Sequence, residues 1–205
     1  RFMRKKIKIG IIDYELGNQD SLYFFLKSLR YKVLISKDSK VLSKLDLIIL
    51  PGVGAFPKAM ESLKKSGIDK FLINWSNSNK PLVGICLGMQ LLCSKSFEFS
   101  ETKGLNLISG EIIPNPNNKW HIGWNNISFS ISSIKNISKN DEFYFNHSYQ
   151  FSGNDDYVIT KTMFENYFPS IIQKNKTIGI QFHPEKSQFS GKKLINSIFN
   201  ILTND

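Results

Sequence analysis

Cys86 stands in "VGICLGMQLL", residues 83–92, between Gly84 and Gly88, where an apolar run passes from strand-like to helix-like patterning. Gly84-Ile85-Cys86-Leu87-Gly88 has the spacing of a nucleophile elbow, the sharp turn that lifts a reactive side chain clear of the backbone. Such a turn strains the nucleophile's own backbone, and side chains two residues to either side would collide with neighbouring chain, so glycine belongs there. A helix over residues 87–95 is predicted to follow, with Cys93 two turns along it. Its first N–H groups would face the sulfur, favour thiolate and receive an oxyanion. The competing reading of Cys86 is a buried structural thiol, and Cys93, which has no flanking glycines, is read that way.

A thiol nucleophile needs a base, and the chain has three histidines. His183 ends an apolar run in "GIQFHPEKS", with Pro184 fixing the backbone and Glu185 two residues on. A carboxylate there could bond the second ring nitrogen, setting the tautomer and stabilising imidazolium. His147 in "YFNHSYQF" and His121 in "KWHIGW" are rival bases without a carboxylate close by in sequence.

The elements that must carry these groups alternate in the first half. Strands are expected at residues 6–13, 31–35, 45–51 and 81–85, and helices at 18–29, 56–67 and 68–79, with Leu22, Phe25, Leu26 and Leu29 on one face of the first. Continuous apolar strands alternating with helices imply a parallel sheet covered on both faces. After about residue 100 the texture becomes β-rich, with expected strands at 105–114, 124–131, 141–151, 156–164 and 170–182, then a final helix at 190–202. In open parallel sheets ligands gather at the carboxyl ends of strands. Three such ends are chemically loaded: Asp13, "PGVGAF" at 51–56, and Cys86. The expectation is one α/β domain over residues 3–205, with Arg1 and Phe2 before Met3 a leftover of expression.

A hydrophobic share of 41% permits a packed core, and no apolar run reaches the length of a membrane span. No signal peptide is read at the basic N-terminus, and two unrelated cysteines make neither a disulfide framework nor a zinc site, so a cytoplasmic location is expected. The net charge of +10 comes from scattered lysines without a basic block, which favours an acidic protein partner over nucleic acid.

"GICLGMQLL", "LPGVGAF" and "GIQFHPEKS", in this order and at these distances, resemble the triad (class I) glutamine amidotransferases. The resemblance implies a flavodoxin-like fold, mostly parallel at its centre with extra antiparallel strands in the second half. It implies Cys86 as nucleophile, His183 as general acid/base and Glu185 as its orienting partner. The amides of Val53 and Leu87 would form the oxyanion hole, with Gly52 and Gly54 letting the chain pass close to the ligand. Gln90, His147, Ser148 and Tyr149 would contact L-glutamine, and no metal or organic cofactor is expected. "DYELGN", "HIGWN" and "YFNHSY" resemble one branch, the glutaminase subunit of imidazole glycerol phosphate synthase. The implied partner is a (β/α)₈-barrel cyclase, joined as a heterodimer with an ammonia channel, in histidine biosynthesis.

Three features depart from that branch: Trp120 stands where proline is usual, Asn146 replaces an apolar residue before "HSY", and residues 160–177 lack a T-T-x-Y-G signature. They leave open a paralogous glutaminase serving a sugar-nucleotide amidotransferase in bacterial surface-glycan synthesis. Other readings are a γ-glutamyl peptidase with the same triad, a flavodoxin-like binding module without catalysis, and a pseudoenzyme kept for assembly. The intact Cys86, His183 and Glu185 speak against the last two.

Overall fold

The computed structural model describes residues 7–129, 134 and 136–203. Arg1 and Phe2 lie outside the described residues, as do 130 and 131 at the end of the strand expected over 124–131. The first half runs β1 (Lys8–Ile12), α1 (Gln19–Ser28), β2 (Lys32–Ser36), a single turn α2 (Ser39–Leu42), β3 (Leu47–Leu50), α3 (Phe56–Ser66), α4 (Ile68–Asn77), β4 (Leu82–Ile85) and α5 (Leu87–Leu91). The second half holds β5 (Cys93–Ser96), β6 (Thr102–Lys103), β7 (Ile108–Pro114), β8 (His121–Asn126), β9 (Ser128–Phe129), β10 (Glu142–His147), β11 (Tyr149–Gly153), β12 (Val158–Phe164), β13 (Asn166–Lys174), β14 (Thr177–Ile180) and the closing helix α6 (Gln188–Thr203).

The central sheet has the order β2-β1-β3-β4-β14-β13-β12-β9, parallel from β2 to β14 and antiparallel beyond. Period-two alternation divides its strands between two cores. Ile9, Ile11, Leu47, Ile49, Val83 and Ile85 pack with α1 and α6 on one face. Ile12, Ile48, Leu50 and Leu82 pack with α3 and α4 on the other. Both faces are apolar because both are covered, which is why these strands read as unbroken hydrophobic runs. The helix boundaries follow local chemistry. The Asn18 side chain accepts the Ser21 N–H at the start of α1. Gly67, at φ 73°, ends α3 and begins α4.

Several expectations are corrected. The strand expected over 170–182 is two antiparallel strands, β13 and β14, and that over 124–131 is divided between β8 and β9 in different sheets. The helix after Cys86 stops at Leu91, and Cys93 opens β5. The reason is main-chain pairing: the Leu91, Leu92 and Cys93 carbonyls accept N–H groups of Leu105, Leu107 and Asn106, which pulls the chain into the second sheet, β11-β7-β5-β6. The strand expected over 141–151 is two strands broken at Ser148, β10 pairing with β8 and β11 with β7. Among the described residues no helix is long and apolar enough to cross a membrane.

Candidate active site

The nucleophile turn is built by contacts that exclude side chains. Cys86 has φ 54° and ψ −113°, a conformation that costs a non-glycine residue about 1–3 kcal/mol and persists only where surroundings enforce it. The Cys86 N–H donates to the Ile180 carbonyl at 2.7 Å, extending the β4–β14 ladder to the nucleophile. A Cβ on Gly88 would meet the Leu50 carbonyl oxygen at 1.9 Å, and one on Gly84 would meet the Gly88 carbonyl at 2.6 Å. A Cβ on Gly52 would meet the Gly88 nitrogen, the Leu87 Cβ and the Tyr14 hydroxyl, each at 2.8 Å. The 51–54 loop and the Cys86 turn therefore touch backbone to backbone. Tyr14 reinforces the junction by donating to the Pro51 carbonyl at 2.7 Å, and burial, then the Cys86 charge, push its phenol upward and keep it neutral.

β14 brings His183 to the same sheet end. The His183 N–H donates to the Tyr144 carbonyl at 2.9 Å, and its own carbonyl accepts the Ser187 hydroxyl at 2.6 Å. The ring Nδ1 lies 2.7 Å from Glu185 Oε1, with both side chains about 5% exposed. Burial works against imidazolium here, but the Cys86 sulfur and the Glu185 carboxylate outweigh it and hold the ring up to about 10. A charged histidine beside a sulfur is the arrangement that supports a thiolate nucleophile.

Cys86, Leu87, Val53, Gly54, Gln90, His147, Ser148, Tyr149 and His183 all line one cavity of about 290 Å³. Gly52 and Glu185 lie behind it, lining a small groove with Val53 and His183. Gln90 Nε2 donates to the Tyr149 carbonyl (3.1 Å) and to Gln181 Oε1 (3.2 Å), so the end it offers a ligand is its oxygen. His147 is occupied at both ring nitrogens, Nδ1 with the Tyr149 carbonyl at 2.9 Å and Nε2 with His121 Nδ1 at 3.1 Å. The carbonyl accepts, so His147 Nδ1 carries hydrogen, and Nε2 accepts from His121. His121 Nε2 faces Asn125 Nδ2 at 3.2 Å, which fixes the second tautomer. Burial is the main force pushing His121 down to about 4 and His147 down to about 3. Both are neutral rings inside a closed hydrogen-bond chain and are unavailable as the base.

Five further residues line the cavity: Ala55, Glu98, Trp120, Asn146 and Lys186. Among the described residues Glu98 is its only carboxylate; burial pushes it upward against the Phe56 N–H, which it accepts at 2.7 Å. No spacing in "KSFEFSE" marks it, because the β5–β6 turn delivers it across 42 positions to the start of α3. Asn115, 2% exposed, was equally silent; its side chain donates to the His147 and Lys119 carbonyls and pins the crossing from β10 to β11. Cys93 is fully buried, its thiol pushed upward by desolvation. Among the described residues no cluster of three His, Cys, Asp or Glu side chains could hold a metal.

The glutamine amidotransferase class-I family matches residues 10–201. The imidazole glycerol phosphate synthase subunit HisH of Lactococcus lactis subsp. lactis is 43% identical over 195 residues, covering 93% of this chain and 96% of its own. HisH of Aquifex aeolicus is 39% identical, covering 91% and 93%. Among solved structures, PurLQS from Thermotoga maritima superposes with a TM-score of 0.77 at 20% identity, covering 97% of this chain and all of the other. A crystal structure of a glutamine amidotransferase gives 0.75 at 16% identity, covering 95% and 98%. With the match running from β1 into α6 and the cysteine turn, the histidine strand end and the Gly-rich loop meeting in one cavity, the chain belongs to the class-I glutamine amidotransferase family.

Proposed function

We propose that residues 3–205 act as one glutaminase domain that hydrolyses L-glutamine through a Cys86 thioester and passes ammonia to a cyclase subunit. The observation that carries the chemistry is Cys86 held at φ 54° in a cavity it shares with His183, whose ring is bonded to Glu185 at 2.7 Å. The thiolate attacks the γ-carboxamide carbon, and the carboxamide oxygen becomes an oxyanion received by the main-chain N–H groups of Val53 and Leu87. His183 gives its proton to the nitrogen, the C–N bond breaks and ammonia leaves. Water, deprotonated by His183, then attacks the thioester; sulfur departs and glutamate forms. Glu185 keeps the imidazole oriented and supports its charge. Glu98 and the Gln90 oxygen face the substrate's α-ammonium group as acceptors, while Gly52, Gly54, His147, Ser148 and Tyr149 shape the wall.

The similarity to HisH subunits favours the histidine-pathway synthase, in which a (β/α)₈-barrel subunit would convert the ammonia into imidazole glycerol phosphate and AICAR in the cytoplasm. Ile122 and Trp124 point outward from β8, with Trp120 just before them, at 62%, 46% and 60% exposure. Trp120 also lines the cavity, so a subunit docked on this apolar face would receive ammonia away from water. The test is co-purification with a histidine-pathway cyclase and a coupled assay. Glutamine-dependent imidazole glycerol phosphate formation is expected; glutamine-dependent amination of a sugar nucleotide instead would reassign the pathway.

A further inference from the structure

β10 presents alternate main-chain groups to the catalytic edge. Tyr144 turns its N–H to the Ser187 hydroxyl (3.0 Å) and its carbonyl to the His183 N–H (2.9 Å). Two residues on, period-two geometry turns Asn146 the same way, and its main-chain oxygen lies 3.9 Å from Cys86 Sγ. That is too far for a strong bond from the thiol. It brings both atoms to one ligand: a carboxamide resting alongside the pair with its carbon against Sγ carries its nitrogen within hydrogen-bond reach of this oxygen. The side chain of the same residue is tethered, because Trp120 Nε1 donates to Asn146 Oδ1 at 2.8 Å. The indole is 60% exposed, so packing alone does not explain its orientation. Both residues line the cavity.

Resting on the glutaminase reading, we propose that the Asn146 main-chain carbonyl accepts the N–H of the substrate γ-carboxamide and that Trp120, through the Asn146 side chain, is the positioning residue that holds this carbonyl beside Cys86. The contact selects for amides. A carboxamide and the ammonia it releases both bring N–H donors to the carbonyl. A γ-ester brings an oxygen without hydrogen, and the product carboxylate brings two lone-pair-bearing oxygens, which the carbonyl repels and so helps to expel. The acylation chemistry is otherwise the same: C–N breaks and ammonia leaves from glutamine, C–O breaks and the alcohol leaves from an ester, and both give the Cys86 thioester.

The test is glutamate release from L-glutamine and from L-glutamate γ-methyl ester by the full chain assembled with its cyclase subunit, as wild type, Trp120→Phe, Asn146→Ala and the double variant. Trp120→Phe keeps a ring without the donor, and Asn146→Ala keeps the main-chain carbonyl without its tether. Each is expected to lower kcat/KM for glutamine about three- to tenfold, the effect of one neutral hydrogen bond, while the ester changes less than about twofold. The double variant should lose no more than the worse single one, because both remove the same tether. Equal losses on both substrates, an unchanged glutamine rate, or additive losses would overturn the assignment. A wild type inert toward both substrates would instead overturn the glutaminase reading beneath it.

Discussion

The Leu50 carbonyl oxygen lies against the α-carbon of Gly88, so closely that a Cβ on Gly88 would sit 1.9 Å from it. This contact locks the end of β3 to the nucleophile turn, and with it the 51–54 loop to Cys86. Gly88→Ala must therefore push two backbones apart. It is expected to destabilise the fold by about 1–3 kcal/mol and to lower glutaminase activity far more than that loss explains. Gly54→Ala meets nothing within 4 Å but must hold φ 97°, so about 1–2 kcal/mol of backbone strain is its main cost. Thermal melts and glutamine hydrolysis on both variants check the contrast; a Gly88→Ala protein as active as wild type would show the junction to be irrelevant.

Glu185→Gln preserves shape at His183 and removes the charge that supports imidazolium. The expected loss in kcat is about 10²–10⁴-fold. The pH behaviour follows from the raised ring. His183 in the fold titrates near 10 against an ordinary 6.5, so its contribution to stability is complete below 6.5 and is lost as pH rises through 10. In Glu185→Gln that loss moves to lower pH. Melting temperatures measured across this window would contradict the account if wild type and variant declined in parallel.

The His121–His147 pair has the opposite sign. Folding lowers both rings, to about 4 and about 3, so their contribution is present above 6.5 and is lost as pH falls through those values. Replacing both by phenylalanine removes the two titrations together. The double variant's stability should depend less on pH between 6.5 and 4 than the wild type's, read by denaturant midpoints; equal slopes would dissociate the pair from acid sensitivity.

Glu98→Gln removes a carboxylate lining the cavity while keeping an acceptor for the Phe56 N–H. A charge-assisted bond to the substrate ammonium predicts a rise in KM for glutamine of about tenfold or more, with a smaller change in kcat. A variant with wild-type KM would place the ammonium elsewhere.

What could be read from sequence followed the length scale of the interactions. The strands of the parallel sheet were visible because both their faces are buried, and the cysteine turn because its glycines are separated by fixed short spacings. His183 and Glu185 were legible as a pair for the same reason: two residues apart, they touch at 2.7 Å. The end of α5 at Leu91 was not, because the carbonyls that stop it pair with residues 105–107. Nor was the break at Ser148, which Asn115 enforces from another strand end. Glu98 and the Trp120–Asn146 bond belong to this second class, since only tertiary structure brings them to the cavity.

The central claim is that Cys86 carries the substrate's acyl group, and acid-quenched protein incubated with glutamine and its synthase partner tests it by peptide mass spectrometry. A γ-glutamyl adduct is predicted on the Cys86 peptide, absent from Cys86→Ala, which should fold normally and lose glutamine hydrolysis by at least about 10³-fold. Cys93, fully buried with its thiol pushed upward, should remain unmodified, and Cys93→Ala should stay active. Undiminished glutaminase activity in Cys86→Ala, or an adduct on Cys93, would contradict the account.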